Sequence, residues 1–340
     1  MKNSMAVDQD GQDYSYFSTL KFGSSGKELY MLVDTGAANT WVMGSDCATE
    51  ACEVHNTFGK SDSSTLKVSQ DKWSIAYGTG SVSGVVVNDT VAFAGFKLDL
   101  GFGSATTTSD DFKTYPMDGI LGLGRPKSNH LGVPTVMEAL EDAKLLKANL
   151  FGVNLQRNAD GATDGEVNFG AVDTSKFKGD LAYTDSVSTD GLWEIPVDDA
   201  GVDDKGAGIT GRTAILDTGT SFVLMPPADA KKLHALIPGS QPDGAENWKI
   251  PCSSTVSVQF TFSGKSYDVS HKDYVGTPDP ADAKLCESNI IGHRAFGATQ
   301  WLLGDVFLKN VYSVFDFDKD RIGEHHPSPI SLHPTVKSSN

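Results

Sequence analysis

Basic residues are scarce in this chain, and long apolar runs are missing altogether. The 340 residues carry 28 lysines and arginines against 44 carboxylates, a net charge of −16 at neutral pH. So negative a surface repels phosphate backbones, which removes nucleic acid from the expected partners. No stretch approaches ~18 consecutive apolar residues, so the sequence offers no membrane-spanning helix. Only 4 cysteines are present, and none forms a CxxC or a Cys/His ladder, which argues against a zinc centre. The polar opening Met1-Lys2-Asn3-Ser4 has no apolar signal core, and the expectation is a mature form from which a signal has been removed.

What is present is a soluble, globular balance of 39 % hydrophobic and 21 % charged residues. The length exceeds one ordinary core and suits two lobes. At about pH 3–4 most of the negative charge would be titrated away. Few basic groups would then remain to repel one another, which suits work in acid. Cys47 and Cys52 lie five apart, and Cys252 and Cys286 thirty-four apart. Paired within these sets, they would close one small loop in each half and indicate an oxidising compartment. Asn88-Asp89-Thr90 is a glycosylation sequon, compatible with secretion.

With 35 glycines to 14 prolines, many tight turns between short strands are expected. Residues 29–33, 73–77, 85–87 and 256–260 read as strands, bounded by Gly, Ser, Asp or Asn. Helical spacing is confined to 135–146 and to 227–236, beyond which Pro238 prevents continuation. An internal repeat organises the rest. Leu32-Val33-Asp34-Thr35-Gly36 recurs 183 residues later as Ile215-Leu216-Asp217-Thr218-Gly219. A fainter echo links Asp118-Gly119-Ile120-Leu121-Gly122-Leu123-Gly124 to Leu302-Leu303-Gly304-Asp305-Val306. The period is far too long for a solenoid and points to duplication of a lobe. The expected organisation is an N-terminal lobe over 1–178, a C-terminal lobe over 179–324 and a peripheral tail over 325–340.

The duplicated Asp-Thr-Gly carries the chemistry. An apolar strand drives each carboxylate into a partly buried position, and glycine lets a backbone N–H approach a carboxylate oxygen. Threonine supplies a hydroxyl for bonding across the junction. Two carboxylates brought together at a pseudo-twofold axis cannot both ionise at moderate pH, so one acts as base and its partner as acid.

With these residues the chain resembles the pepsin-like aspartic proteases, secreted or vacuolar and of a fungal type. The resemblance covers residues 14–323. It rests on Asp34-Thr35-Gly36 followed by Asn39-Thr40-Trp41-Val42, Tyr77-Gly78-Thr79-Gly80-Ser81, Asp118 to Leu123, Asp217-Thr218-Gly219-Thr220-Ser221 and Leu303-Gly304-Asp305-Val306-Phe307. It implies a mainly β, bilobal fold with a cleft between the lobes, and water attacking the peptide directly between Asp34 and Asp217. The four cysteines fall where that family places two loop disulfides. Thr35 and Thr218 would tie the two loops together, with Gly36, Gly219 and Thr220 in support. Gly78 and Thr79 would form the tip of a hairpin flap, whose Tyr77 hydroxyl Trp41 would orient. Leu32, Tyr77, Phe112 and Ile120 would line the pocket for the side chain before the cut, with Ile215 and Leu302 opposite. Bulky hydrophobic residues around the cut are therefore expected. Lysine is not, because Thr79 stands where many fungal relatives carry an aspartate.

The resemblance also implies a monomer without cofactor or metal, polypeptide substrates, statine-type inhibitors, and a basic propeptide that this chain does not contain. Two departures matter. Ala37 replaces the usual serine after the first Asp-Thr-Gly, removing a donor to Asp34 and predicting a less extreme acid optimum than a serine variant would have. Gly323-Glu324-His325-His326 replaces an apolar finish and predicts a last strand that stops early or faces water. His325 and His326 lack metal-site spacing, and Arg321 disrupts a calcium-loop reading of Asp316, Asp318 and Asp320. Two other readings compete: a relative that binds peptides in the cleft without cutting them, and an unrelated sugar-binding or structural β protein.

Overall fold

The computed structural model describes residues 3–327, so residues 328–340 of the expected tail lie outside the described residues. The fold is mainly β, as the strand Lys27–Asp34 illustrates. Leu29, Met31 and Val33 are fully buried, while Glu28 and Tyr30 face outward, the period-two alternation of a strand with one face on a core. It belongs to an eight-stranded sheet built wholly from residues before 109 and the segment Gly119–Gly122.

Within that sheet, Lys27–Asp34 pairs parallel with Gly119–Gly122, which pairs antiparallel with Trp41–Met43. The second half repeats the arrangement. Arg212–Leu216 pairs parallel with Gln300–Leu303, which pairs antiparallel with Val223–Leu224. The registers correspond: Leu32 lies opposite Ile120, and Ile215 opposite Leu302. The faint sequence echo is thus a repeated strand pairing. It brings the strand leading into each Asp-Thr-Gly against an apolar strand 88 residues further on in the first half (Leu32 to Ile120) and 87 in the second (Ile215 to Leu302).

A six-stranded antiparallel sheet joins the halves. Its order runs Ser4–Ala6, Glu166–Phe169, Leu150–Asn154, Tyr312–Asp316, Arg321–His325, Ala182–Asp185. Behind it Phe151 stacks on Phe315 at 4.8 Å, and Trp193 meets Phe317 edge-on at 4.8 Å. These rings bury apolar surface contributed by both halves.

The helices are shorter than their sequence spacing suggests. The one expected over 135–146 is Val136–Asp142, started by a Thr135–Glu138 capping box and ended before Lys144, whose φ is 55°. The one expected over 227–236 is Pro227–His234. Three further helices of four residues, Glu50–Glu53, His271–Tyr274 and Asp305–Leu308, are too short to show a period. The strand expected at 256–260 lies at Val258–Phe262.

The last strand corrects the expectation of an early or solvent-facing end. Arg321–His325 pairs on both sides, with Tyr312–Asp316 and with Ala182–Asp185, and Glu324 is 2 % exposed. Position between two strands decides its burial, whatever the polarity of the side chain. The four cysteines form Cys47–Cys52 and Cys252–Cys286.

Candidate active site

Both Asp-Thr-Gly segments leave their strands and meet at the junction of the halves. Thr35 and Thr218 are fully buried and bond reciprocally. Thr218 N–H donates to Thr35 Oγ1 at 3.0 Å, and Thr35 N–H to Thr218 Oγ1 at 3.1 Å. Their hydroxyls in turn donate to the carbonyls of Leu216 at 2.9 Å and Val33 at 2.6 Å, each in the opposite half. Four bonds across the junction satisfy every polar atom of the two threonine side chains, so the loops are held rigidly.

The carboxylates follow from that grip. Gly36 N–H donates to Asp34 Oδ1 at 2.8 Å and also lies 3.1 Å from Asp217 Oδ1. One backbone donor therefore sits between the two inner oxygens, which places the carboxyl groups side by side. Glycine is required by space here. A Cβ on Gly36 would fall 2.6 Å from Asp217 Cγ, and one on Gly219 would fall 2.5 Å from Asp34 Cγ. Each loop thus lays its glycine against the carboxyl group of the other.

The outer oxygens differ. Thr220 Oγ1 donates to Asp217 Oδ2 at 2.7 Å. Asp34 Oδ1 receives Gly36 and Ala37 N–H, but Ala37 has no hydroxyl for Oδ2. Burial, then the charge of Asp217 and a hydrogen bond with it, push the Asp34 carboxyl well above the usual range, against the two backbone donors. The missing donor at Asp34 Oδ2 works in the same direction, favouring the protonated form of Asp34. A serine at 37 would supply the missing donor. Ala37→Ser is expected to move both limbs of a pH–rate profile to lower pH, since the pair titrates as a unit. Limbs that stay in place would refute the assignment.

A hairpin of Lys67–Tyr77 and Gly80–Phe93 turns through exposed Gly78 and Thr79. Trp41 Nε1–H donates to the Tyr77 hydroxyl at 2.8 Å. Burial and the charge of Asp34 hold the phenol far above its ordinary range, so it stays a neutral donor. Phe112 meets Trp41 edge-on at 5.5 Å and Tyr77 at 6.2 Å. Leu32 and Ile120 pack in the same apolar cluster.

Ile215 and Leu302 do not join that cluster. They stand opposite each other in the second half, Ile215 fully buried and Leu302 6 % exposed. Asn88 lies inside a strand between Lys67 and Gly101 and is half-buried, rather than in a surface loop.

Tyr115 escaped the sequence reading, and Asp305 entered it only as part of a motif. Phe112 is delivered by a 3-10 turn, Asp110–Thr114, whose C-terminal neighbour Tyr115 reaches the hairpin tip: its hydroxyl lies 2.8 Å from Thr79 Oγ1. Asp305 starts a short helix just behind Thr220, to whose carbonyl its N–H bonds at 2.8 Å. Its buried carboxyl has no hydrogen-bond partner among the described residues. Burial raises it well above the usual carboxylate range; Lys309 opposes this, and Asp217 adds to it. The tandem Asp-Thr-Gly signal marks the candidate dyad, but nothing in Leu303-Gly304-Asp305 signals a buried acid of raised pKa beside it.

Known proteins bear on this geometry. The family model "Eukaryotic aspartyl protease" matches residues 15–325. The chain is 52 % identical over 321 residues to "Probable aspartic-type endopeptidase CTSD" of Arthroderma benhamiae, covering 94 % of this chain and 62 % of that protein. It therefore spans about three fifths of that relative's length. It is 48 % identical over 335 residues to "Aspartic-type endopeptidase ctsD" of Aspergillus fumigatus, covering 98 % of this chain and 70 % of the other. Pepsin A of Sus scrofa is 34 % identical over 319 residues, covering 92 % and 81 %. With this coverage and the matched segments, the chain belongs to the eukaryotic aspartyl protease family, of the pepsin-like kind.

Proposed function

We propose that this chain is an endopeptidase that hydrolyses peptide bonds between bulky hydrophobic residues in acid, using water held between Asp34 and Asp217. The observation that supports this best is the single Gly36 N–H lying between the inner oxygens of two carboxyl groups, one from each half. Aspartic proteases are the standard illustration of such coupling, in which like charges at short range cannot both ionise.

In the reaction, ionised Asp217 takes a proton from the water as its oxygen attacks the peptide carbonyl carbon. The Asp34 carboxyl gives its proton to the carbonyl oxygen, leaving a neutral tetrahedral diol. Collapse transfers a proton to the peptide nitrogen, breaks the C–N bond and regenerates the shared proton. No acyl-enzyme forms. Closure of the hairpin over the cleft excludes bulk water during these steps.

The apolar wall of Leu32, Tyr77, Phe112 and Ile120 supports a bulky hydrophobic side chain before the cut, and neutral Thr79 offers no countercharge for lysine. The two lobes, 1–178 and 179–324, would then be the walls of the cleft, with the six-stranded sheet as its floor. We place the protein in an oxidising secretory or vacuolar compartment, a reading supported by its two disulfides. Incubation with denatured haemoglobin or casein at about pH 3–5 should give fragments cut between hydrophobic residues, and a statine-type inhibitor should stop it. Folded protein that turns over neither substrate anywhere from about pH 2 to 7 would instead favour a peptide-binding relative.

A further inference from the structure

We propose that Tyr115 is the latch of the hairpin: its hydroxyl, bonded to Thr79, holds the tip over the cleft and thereby sets substrate affinity rather than the rate of chemistry. This rests on reading the hairpin as the cover of an endopeptidase cleft.

The tip has little else to hold it. Gly78 and Thr79 are exposed, and a Cβ on Gly78 would meet nothing within 4 Å. Contacts at and behind the tip tie the hairpin to the segment 109–115, and three of them matter here. Ser81 and Ser109 bond reciprocally, Ser109 N–H to Ser81 O at 2.9 Å and Ser81 N–H to Ser109 Oγ at 3.0 Å. Tyr77 packs edge-on against Phe112. The third contact is Thr79 Oγ1 to Tyr115 Oη at 2.8 Å, with either hydroxyl donating. Among the described residues it is the one side-chain bond made at the tip itself. The other two act on the arms, as does the close approach of Gly80 to Ser109 and Phe112, so that only Gly78 and Thr79 depend on the Tyr115 bond.

Tyr115 is a fixed post. Its N–H donates to Phe112 O at 3.3 Å, and its ring packs on Phe112 at 5.9 Å. Its carbonyl lies 2.7 Å from His55 Nε2, while His55 Nδ1 lies 2.6 Å from Ala51 O. Ala51 belongs to the turn Glu50–Glu53, which the Cys47–Cys52 disulfide closes. A continuous path thus runs from the disulfide loop through His55 and Tyr115 to Thr79. The small loop contributes a rigid anchor for a part that has to move.

A hydrogen bond between two exposed hydroxyls is modest, so its loss should loosen the tip several-fold without unfolding anything. A positioning residue of this kind acts before chemistry, on the fraction of enzyme whose tip is already placed.

The test compares Tyr115→Phe, Thr79→Val and the double variant with the parent. Each single variant is expected to raise KM for a peptide substrate roughly three- to tenfold, with kcat within about twofold. The double variant should match either single one, because both remove the same bond. Hydrogen exchange of amides 77–82 should accelerate to a similar degree, and a statine-type inhibitor should slow it again. If KM and exchange both stay at parental values, or if the two single effects multiply in the double variant, the latch is overturned. If no variant and no parent cleaves peptide, the endopeptidase reading fails. The exchange comparison then still decides whether Tyr115 holds the tip.

Discussion

Replacing Gly219 with alanine is expected to lower kcat at least about 100-fold while keeping the fold, at a cost of about 1–3 kcal/mol in stability. The added methyl carbon would stand 2.5 Å from Asp34 Cγ and 2.7 and 2.8 Å from its oxygens. Gly219 is not among the glycines with positive φ, so alanine meets no backbone penalty there. The three nearest atoms it meets all belong to the Asp34 carboxyl group. Asp34 cannot step aside without losing the Gly36 and Ala37 N–H bonds at 2.8 and 2.9 Å that aim it. A displacement of about 1 Å is enough to spoil the arrangement in which the proposed mechanism holds one water between two oxygens. Gly36→Ala is the mirror case, with the methyl 2.6 Å from Asp217 Cγ, and should cost a similar factor. Single-turnover kinetics on a peptide substrate, beside thermal melts, measure both. A kcat within threefold of the parent in either folded variant would show that the glycines do not set the carboxyl geometry.

The candidate dyad was legible because duplication wrote its signal twice. One Asp-Thr-Gly is an ordinary strand exit, but two in the same apolar frame, 183 residues apart, define an axis. The echo between residues 118–124 and 302–306 was legible for the same reason, but that it marks a parallel pairing with the strand before each Asp-Thr-Gly came only from the structure. What was not legible has physical causes. The six-stranded sheet joins segments as distant as Leu150–Asn154 and Tyr312–Asp316, and its edge strands have three or four residues, too few for a period to show. The turn Asp110–Thr114 is set by its contacts with the hairpin, so local sequence gave no reason to look for Tyr115 there. Glu324 was misread as solvent-facing because side-chain polarity is a prior on burial, and the two flanking strands override it.

Glu324 carries the other large expected effect: Glu324→Leu should stabilise the protein by on the order of 3–5 kcal/mol at pH 8 and change little at pH 4. Its side chain stands opposite Ser313 and Ala182, and Oε1 and the Ser313 hydroxyl are both buried without a hydrogen-bond partner among the described residues. Burial pushes the carboxyl up to about 8 from 4.5, with Lys265 opposing. The folded protein therefore holds a proton that the unfolded chain releases, and stability falls as pH rises from 4.5 through about 8, levelling off above it. Leucine removes that proton and fills the site with carbon, so the variant's advantage should open over that same interval. His234 acts at the opposite end. Stacked on Trp248 at 4.6 Å and with its ring nitrogens near Ala230 O and Ser288 Oγ, it is held by burial down to about 4 from 6.5. It therefore withdraws stability as pH falls through that range. Because His234 is unchanged in the variant, its contribution cancels in the difference between the two proteins. Denaturant melts of parent and Glu324→Leu at half-unit steps from about pH 4 to 9 isolate the carboxyl. Two parallel stability curves would mean that the fold pays nothing for Glu324, and that the wet end the sequence suggested is closer to the truth than its burial between two strands.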